Sequence, residues 1–149
     1  MKALRMNRAR VTFESRSVNE GFARSVVTGF VSALDPTIAD LSDIKTAVSE
    51  AVTNCIVHAY PQTTGEIILD LAIFEGDVLR IIVIDHGCGI SDIAQAMTPL
   101  FTTGADTERS GLGFSVMESF MDSLRVTSRP GKGTRVTMTK KIKGKSVHT

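Results

Sequence analysis

Residues 66–85 read Glu66-Ile67-Ile68-Leu69-Asp70-Leu71-Ala72-Ile73-Phe74-Glu75-Gly76-Asp77-Val78-Leu79-Arg80-Ile81-Ile82-Val83-Ile84-Asp85, and their period decides the fold. Two strand-like apolar runs, Glu66 to Glu75 and Val78 to Asp85, are separated only by Gly76-Asp77. A connection of two or three residues belongs to an antiparallel hairpin. The centre of the chain is therefore sheet, and its second strand ends on a carboxylate.

Upstream, the period is helical. Phe22, Val26, Phe30, Ala33 and Leu34 recur at helix spacing, with Ser17 and Glu20 placed as a capping box. Asp35-Pro36-Thr37 interrupts that helix, and Thr37 or its neighbour opens another whose apolar face is Leu41, Ile44, Val48, Ala51 or Val52, and Cys55. Tyr60-Pro61 ends it, because proline disfavours helical backbone in the residue before it. Ahead of both helices, Arg10 to Glu14 alternates as a short strand, with Met1 to Arg8 expected to be loose or weakly paired.

Downstream, Ser91 to Met97 suits a short helix, and Pro99 to Ser110 is a polar, threonine-rich stretch read as a mobile loop. Phe114 to Met121 is expected as helix, Leu124 to Thr127 and Val136 to Ile142 as strands, with a tight turn at Pro130 to Thr134. This order predicts an α/β two-layer sandwich, with helices packed on one face of a mixed, mainly antiparallel sheet. No repeat or linker divides residues 1–149, so one domain is expected, with a basic tail at 143–149 that frays.

Composition narrows the function. The 149 residues are 42% hydrophobic and 22% charged, enough apolar material for one core. Seventeen Lys and Arg against sixteen Asp and Glu give a net charge of +1, without the basic excess of a nucleic-acid binder. Cys55 and Cys88 are too few for a disulfide scaffold and lack metal-ligand spacing. No segment approaches the roughly 18 apolar residues of a membrane span, and the N-terminus lacks a signal-like apolar stretch. A cytoplasmic domain with protein or small-molecule partners is expected.

Within the second helix, Glu50, Asn54 and His58 fall four apart, on one stripe of a segment otherwise apolar. Polar groups in that position need partners or a ligand. Three glycine clusters follow. Asp85-His86-Gly87-Cys88-Gly89 sets a carboxylate at a strand mouth, suited to an exocyclic amine such as that of adenine, or to an ordinary turn. Arg109-Ser110-Gly111-Leu112-Gly113-Phe114 stands at a loop-to-helix junction, where free amides favour phosphate or simply start a helix. Gly131-Lys132-Gly133-Thr134 reads as a hairpin turn. None is a Walker-type phosphate loop, and together they could enclose one nucleotide.

Glu50 to Asn54, Asp85-x-Gly-x-Gly, Gly111-Leu112-Gly113 and Gly131-x-Gly-Thr134 resemble the four nucleotide-site boxes shared by gyrase, heat-shock chaperone, histidine kinase and MutL ATPase domains. More narrowly, Ser49 to Asn54 with His58-Ala59-Tyr60 and the Pro99 to Thr103 run resemble the anti-sigma F factor family of serine kinases, over about Arg10 to Lys141. The resemblance implies the histidine-kinase-like ATPase fold and a dimeric, ATP- and Mg²⁺-dependent serine protein kinase. Such a protein binds a sporulation sigma factor and phosphorylates a serine of its anti-anti-sigma antagonist, with no direct nucleic-acid or membrane contact. Carried onto this chain, Asn54 holds Mg²⁺ against the ATP phosphates and Glu50 is the catalytic base. Asp85 bonds the adenine amine, Gly87 and Gly89 make room for the ring, and Thr134 closes that side. Phe101 to Ser110 is the lid, contributing Thr102, Thr103 and Ser110 to the nucleotide site. Its Arg109 neutralises the γ-phosphate, and Gly111, Leu112 and Gly113 supply amides.

His58, His86 and His148 are read as structural, rim and tail residues, and Cys88 has no evident acid–base partner. The helix carrying Arg16, Glu20 and Arg24 presents either a solvated face or a partner-binding one, and the resemblance favours a partner contact at Arg24 or Arg16. Two other functions fit the same boxes: an ATPase that transfers to water, and a nucleotide-gated binder that acts by occlusion. The presence of Glu50 weighs against the second, since occlusion needs no carboxylate beside the γ-phosphate.

Overall fold

The computed structural model describes residues 2–93 and 113–144. In chain order the elements are β1 (Arg5–Glu14), α1 (Asn19–Val31), a 3-10 turn (Ser32–Leu34), α2 (Ile38–Asn54), a π-turn (Cys55–Ala59), β2 (Glu66–Phe74), β3 (Val78–Asp85), α3 (Phe114–Phe120), β4 (Ser123–Arg129) and β5 (Gly133–Lys141). The five strands form one sheet in the order β1-β2-β3-β5-β4.

Every pairing in that sheet is antiparallel, a narrower result than the mixed sheet expected from sequence. The predicted hairpin is present, with Phe74 opposite Val78 and both Gly76 and Asp77 at positive φ in the connection. Alternation then sorts the side chains. Ile67, Leu69, Leu71, Leu79, Ile81, Val83, Val136 and Met138 face the helices and are buried against Val27, Val31, Ile44, Val48, Val52, Phe114 and Met117.

β1 overturns one expectation. The strand begins at Arg5, not Arg10, so half of the segment expected to be loose or weakly paired, Arg5 to Arg8, belongs to β1, with a bulge between Arg5 and Asn7. Its anchor is Asp70, which is only 2% exposed on the helix-free face of the sheet. The Asp70 carboxylate accepts from Arg8 Nη2 at 2.6 Å and from Arg10 Nε at 2.9 Å. Burial alone would push its carboxyl up; the hydrogen bonds and charges of the two arginines outweigh that and hold it below its ordinary value.

The helix ends are equally specific. Thr37 caps α2, its hydroxyl accepting the Asp40 N–H at 3.0 Å, as the sequence indicates. The expected Ser17–Glu20 capping box does not form: the N-cap of α1 is Val18, with no side-chain cap. Glu20 is instead drawn sideways, accepting from Arg24 Nη1 and from Thr53 Oγ1, both at 2.7 Å, which ties α1 to α2. The fully buried face of α1 is Ala23, Val27 and Val31, one residue round from the expected stripe; Phe22 stays partly exposed, edge-on to Phe13 at 5.9 Å.

Most of the expected helix at Ser91 to Met97, the whole loop at Pro99 to Ser110 and the tail at 145–149 lie outside the described residues.

Candidate active site

The site lies where the end of α2 meets the ends of β3 and β5. Asp85 follows Leu79, Ile81 and Val83 on the helix-covered face of β3, and register sets Thr134 of β5 directly opposite it. A carboxylate at an apolar-face position, 6% exposed, must be met by donors. Asp85 Oδ1 accepts the Gly87 N–H at 2.9 Å, and Oδ2 lies 3.5 Å from the Cys55 thiol. Burial, then the Asp85 charge, push the Cys55 thiol well above its ordinary pKa, so it remains a protonated donor.

Asp85, Thr134, Asn54, His58, Cys55, Gly89, Ile90 and Phe114 line a single narrow cleft of about 30 Å³, well below the roughly 300–1,000 Å³ usual for small-molecule sites, so a bound nucleotide would have to open it. Asn54 and His58 therefore do share the stripe that their spacing indicates. The helix reaches His58 through the π-turn, in which Tyr60 N–H bonds Cys55 O across five residues. Such turns widen a helix locally and recur at functional sites.

Glu50 departs from that stripe in its surroundings. One turn before Asn54, it lines an open groove with Arg24, Ile38, Lys45, Thr46 and Ser49 between α1 and α2. Behind it is Gly113, in the left-handed region at φ 68 at the start of α3; a Cβ there would collide with the Glu50 carboxylate. Arg24 donates to Glu20 and to Ser49 Oγ at 2.9 Å on the groove wall, whereas Arg16 pairs with Glu14 on the surface.

The two glycines after Asp85 are required by the chain itself. A Cβ at Gly87 would meet the Ala59 carbonyl, and one at Gly89, where φ is 77, would meet the Arg129 carbonyl. They seat the loop against the π-turn on one side and against the β4–β5 hairpin on the other. Cys88 N–H completes the first contact by bonding Ala59 O at 3.1 Å.

Two residues were not legible as parts of the site. Ser128 on β4 accepts the Ile90 N–H at 2.8 Å and shares a hydrogen bond with Thr134 Oγ1 at 2.8 Å, tying the glycine loop to Thr134. Tyr60, visible only as a helix end, bonds the backbone of His86 and Glu66. Arg109, Thr102, Thr103, Ser110, Gly111 and Leu112 lie outside the described residues; of the expected phosphate-side group, Gly113 is described.

A buried, donor-supported carboxylate beside a hydroxyl and a carboxamide fits a purine carrying an exocyclic amine. Among the described residues no set of three His, Cys, Asp or Glu is placed to hold a metal alone. Among the same residues no helix is long and apolar enough to cross a membrane.

The chain is similar to known proteins in sequence and in fold. A family model described as the histidine kinase-like ATPase domain matches residues 12–140. An anti-sigma F factor of Thermoanaerobacter sp. strain X514 is 57% identical over 136 residues, covering 91% of this chain and 94% of its own. One from Clostridium novyi strain NT is 54% identical over 138 residues, covering 92% and 96%. Among solved structures, the RsbU and RsbW domains of a Mycobacterium tuberculosis protein superpose with a TM-score of 0.65 at 18% identity, covering 92% of this chain and 33% of that one. The catalytic domain of the histidine kinase ThkA gives 0.57 at 17%, covering 92% and 97%. At those identities the structures speak for the fold alone.

Proposed function

The chain belongs to the anti-sigma F factors, within the histidine kinase-like ATPase domains, and from that premise we propose that it is an ATP- and Mg²⁺-dependent protein serine kinase. In this reading it acts as a single, cytoplasmic, homodimer-forming domain. It binds a sporulation sigma factor and phosphorylates a serine of the small antagonist that would otherwise displace it. The observation that carries the kinase reading is the division of α2 between two openings: Asn54 looks into the cleft with Asp85, while Glu50, one turn earlier, looks into the groove outside it.

Each residue then has a task. Asp85 accepts the adenine amine, with its free lone pairs directed by the Gly87 and Cys55 donors, and Thr134 closes that side with Ser128 behind it. Asn54 would be the protein ligand for Mg²⁺, which would supply charge neutralisation to the phosphates. Glu50 receives the acceptor hydroxyl from the groove and takes its proton as the serine oxygen bonds the γ-phosphorus and the β–γ bridge oxygen leaves with ADP. Arg109 neutralises the transferring group, and the amides of Gly111 to Gly113 hold phosphate oxygens. Phosphoryl transfer asks mainly for alignment and charge neutralisation, so this small set suffices.

Incubation with γ-labelled ATP, Mg²⁺ and the candidate antagonist tests the proposal. Label on one serine of the antagonist is the expected result. Label released only as free phosphate, at a rate indifferent to the antagonist, would identify a water-directed ATPase instead.

A further inference from the structure

Tyr60 does not line the cleft, yet it bonds the backbone both at the end of α2 and beside Asp85. It is 8% exposed, and its hydroxyl donates to Glu66 O at 2.7 Å while accepting the His86 N–H at 2.7 Å. Its own N–H closes the π-turn on Cys55 O, directly after Asn54. The ring occupies the space that a side chain on Gly65 would need, since a Cβ there would run into the Tyr60 ring carbons. Gly65 is itself fixed to β1, donating to Ser15 Oγ and accepting from Ser15 N–H, both at 2.9 Å.

The geometry points to Tyr60 as a positioning residue that sets Asp85 relative to Asn54, and thereby makes the site choose adenine. His86 is the residue after Asp85, so the hydrogen bond at its N–H fixes the backbone from which the carboxylate projects. The π-turn fixes the other side: Tyr60 N–H closes it on Cys55 O, and the Cys88 N–H to Ala59 O bond joins that helix end to the Asp85 loop. A carboxylate held this way discriminates between a ring that presents an amine and one that presents a carbonyl, and discrimination of that kind decays when the polar group is free to turn. This inference rests on the proposed nucleotide site and says which residue tunes it.

Tyr60→Phe keeps the ring against Gly65 and removes both hydroxyl bonds. Dissociation constants for ATP and GTP, measured by calorimetry on the full chain, are expected to show ATP binding weakened about tenfold and GTP binding little changed, so that the ratio between them collapses. A role in folding alone would lower the melting temperature and leave that ratio where it was, and an unchanged ratio overturns the inference. Should Tyr60→Phe not fold, amide hydrogen exchange on the unaltered chain decides: slow exchange at His86 supports the latch, and exchange as fast as an open loop refutes it. Failure of the unaltered chain to bind ATP would overturn the nucleotide site itself, and is seen before any substitution is made.

Discussion

At the scale of single residues, the Asp85 carboxylate and the Cys55 thiol 3.5 Å from it act as one buried pair. Asp85 is legible as a carboxylate at a strand end, and alternation from Val83 already puts it on the buried face. Its donors, Gly87 N–H and the Cys55 thiol, are not legible, because one depends on a turn and the other on how a helix end meets a strand. The contact changes what the two cysteines should do. Thiolate is the reactive form, and burial beside Asp85 keeps Cys55 protonated, whereas Cys88 is exposed. At pH 8 one of the two thiols is therefore expected to react with Ellman's reagent in the native chain, and both in denaturant. Two native thiols reacting at equal rates would contradict the burial of Cys55 beneath the carboxylate.

At the scale of elements, signals confined to a few neighbouring residues held unless another side chain competed for the same group. Thr37 is a cap by its own chemistry, followed three residues on by the N–H that it accepts. Thr37→Ala is expected to cost about 1 kcal/mol, read as a fall in denaturant midpoint with an unchanged slope; no change would mean that the α2 start is held by other contacts. Ser17 and Glu20 match the capping pattern equally well, but Arg24 and Thr53 compete for the Glu20 carboxylate and win, since they also join two helices. The π-turn escaped notice for a related reason. Its extra residue is fixed by Tyr60 and by the docking of the glycine loop on Ala59, both contacts across more than 20 residues of chain.

At the scale of the whole molecule, the hairpin Glu66 to Asp85 fixes the architecture and β1 completes it. The sequence underestimated β1 because the reason for its length sits in another strand, where Asp70 gathers Arg8 and Arg10. That cluster couples stability to pH. The folded-state carboxyl of Asp70 is lowered, so its contribution is fully present above the unfolded value, about 3.9, and disappears as pH falls through the lower folded value. Asp70→Asn is expected to melt a few degrees lower at pH 7, with the gap closing below about pH 4 as the native carboxylate is protonated. A gap that persisted unchanged in acid would show that Asp70 acts by shape rather than charge. The same sheet carries Asp85 and Thr134 to one end of the molecule, and α2 delivers Asn54 to that cleft and Glu50 to the neighbouring groove. The central claim is that this division lets a nucleotide and a protein serine meet across one helix. Its most direct test is single-turnover transfer from labelled ATP to the antagonist serine by Glu50→Gln at saturating nucleotide. The account predicts nucleotide affinity within about twofold of the unaltered chain and transfer slowed roughly a hundredfold or more; transfer at the unaltered rate would contradict it.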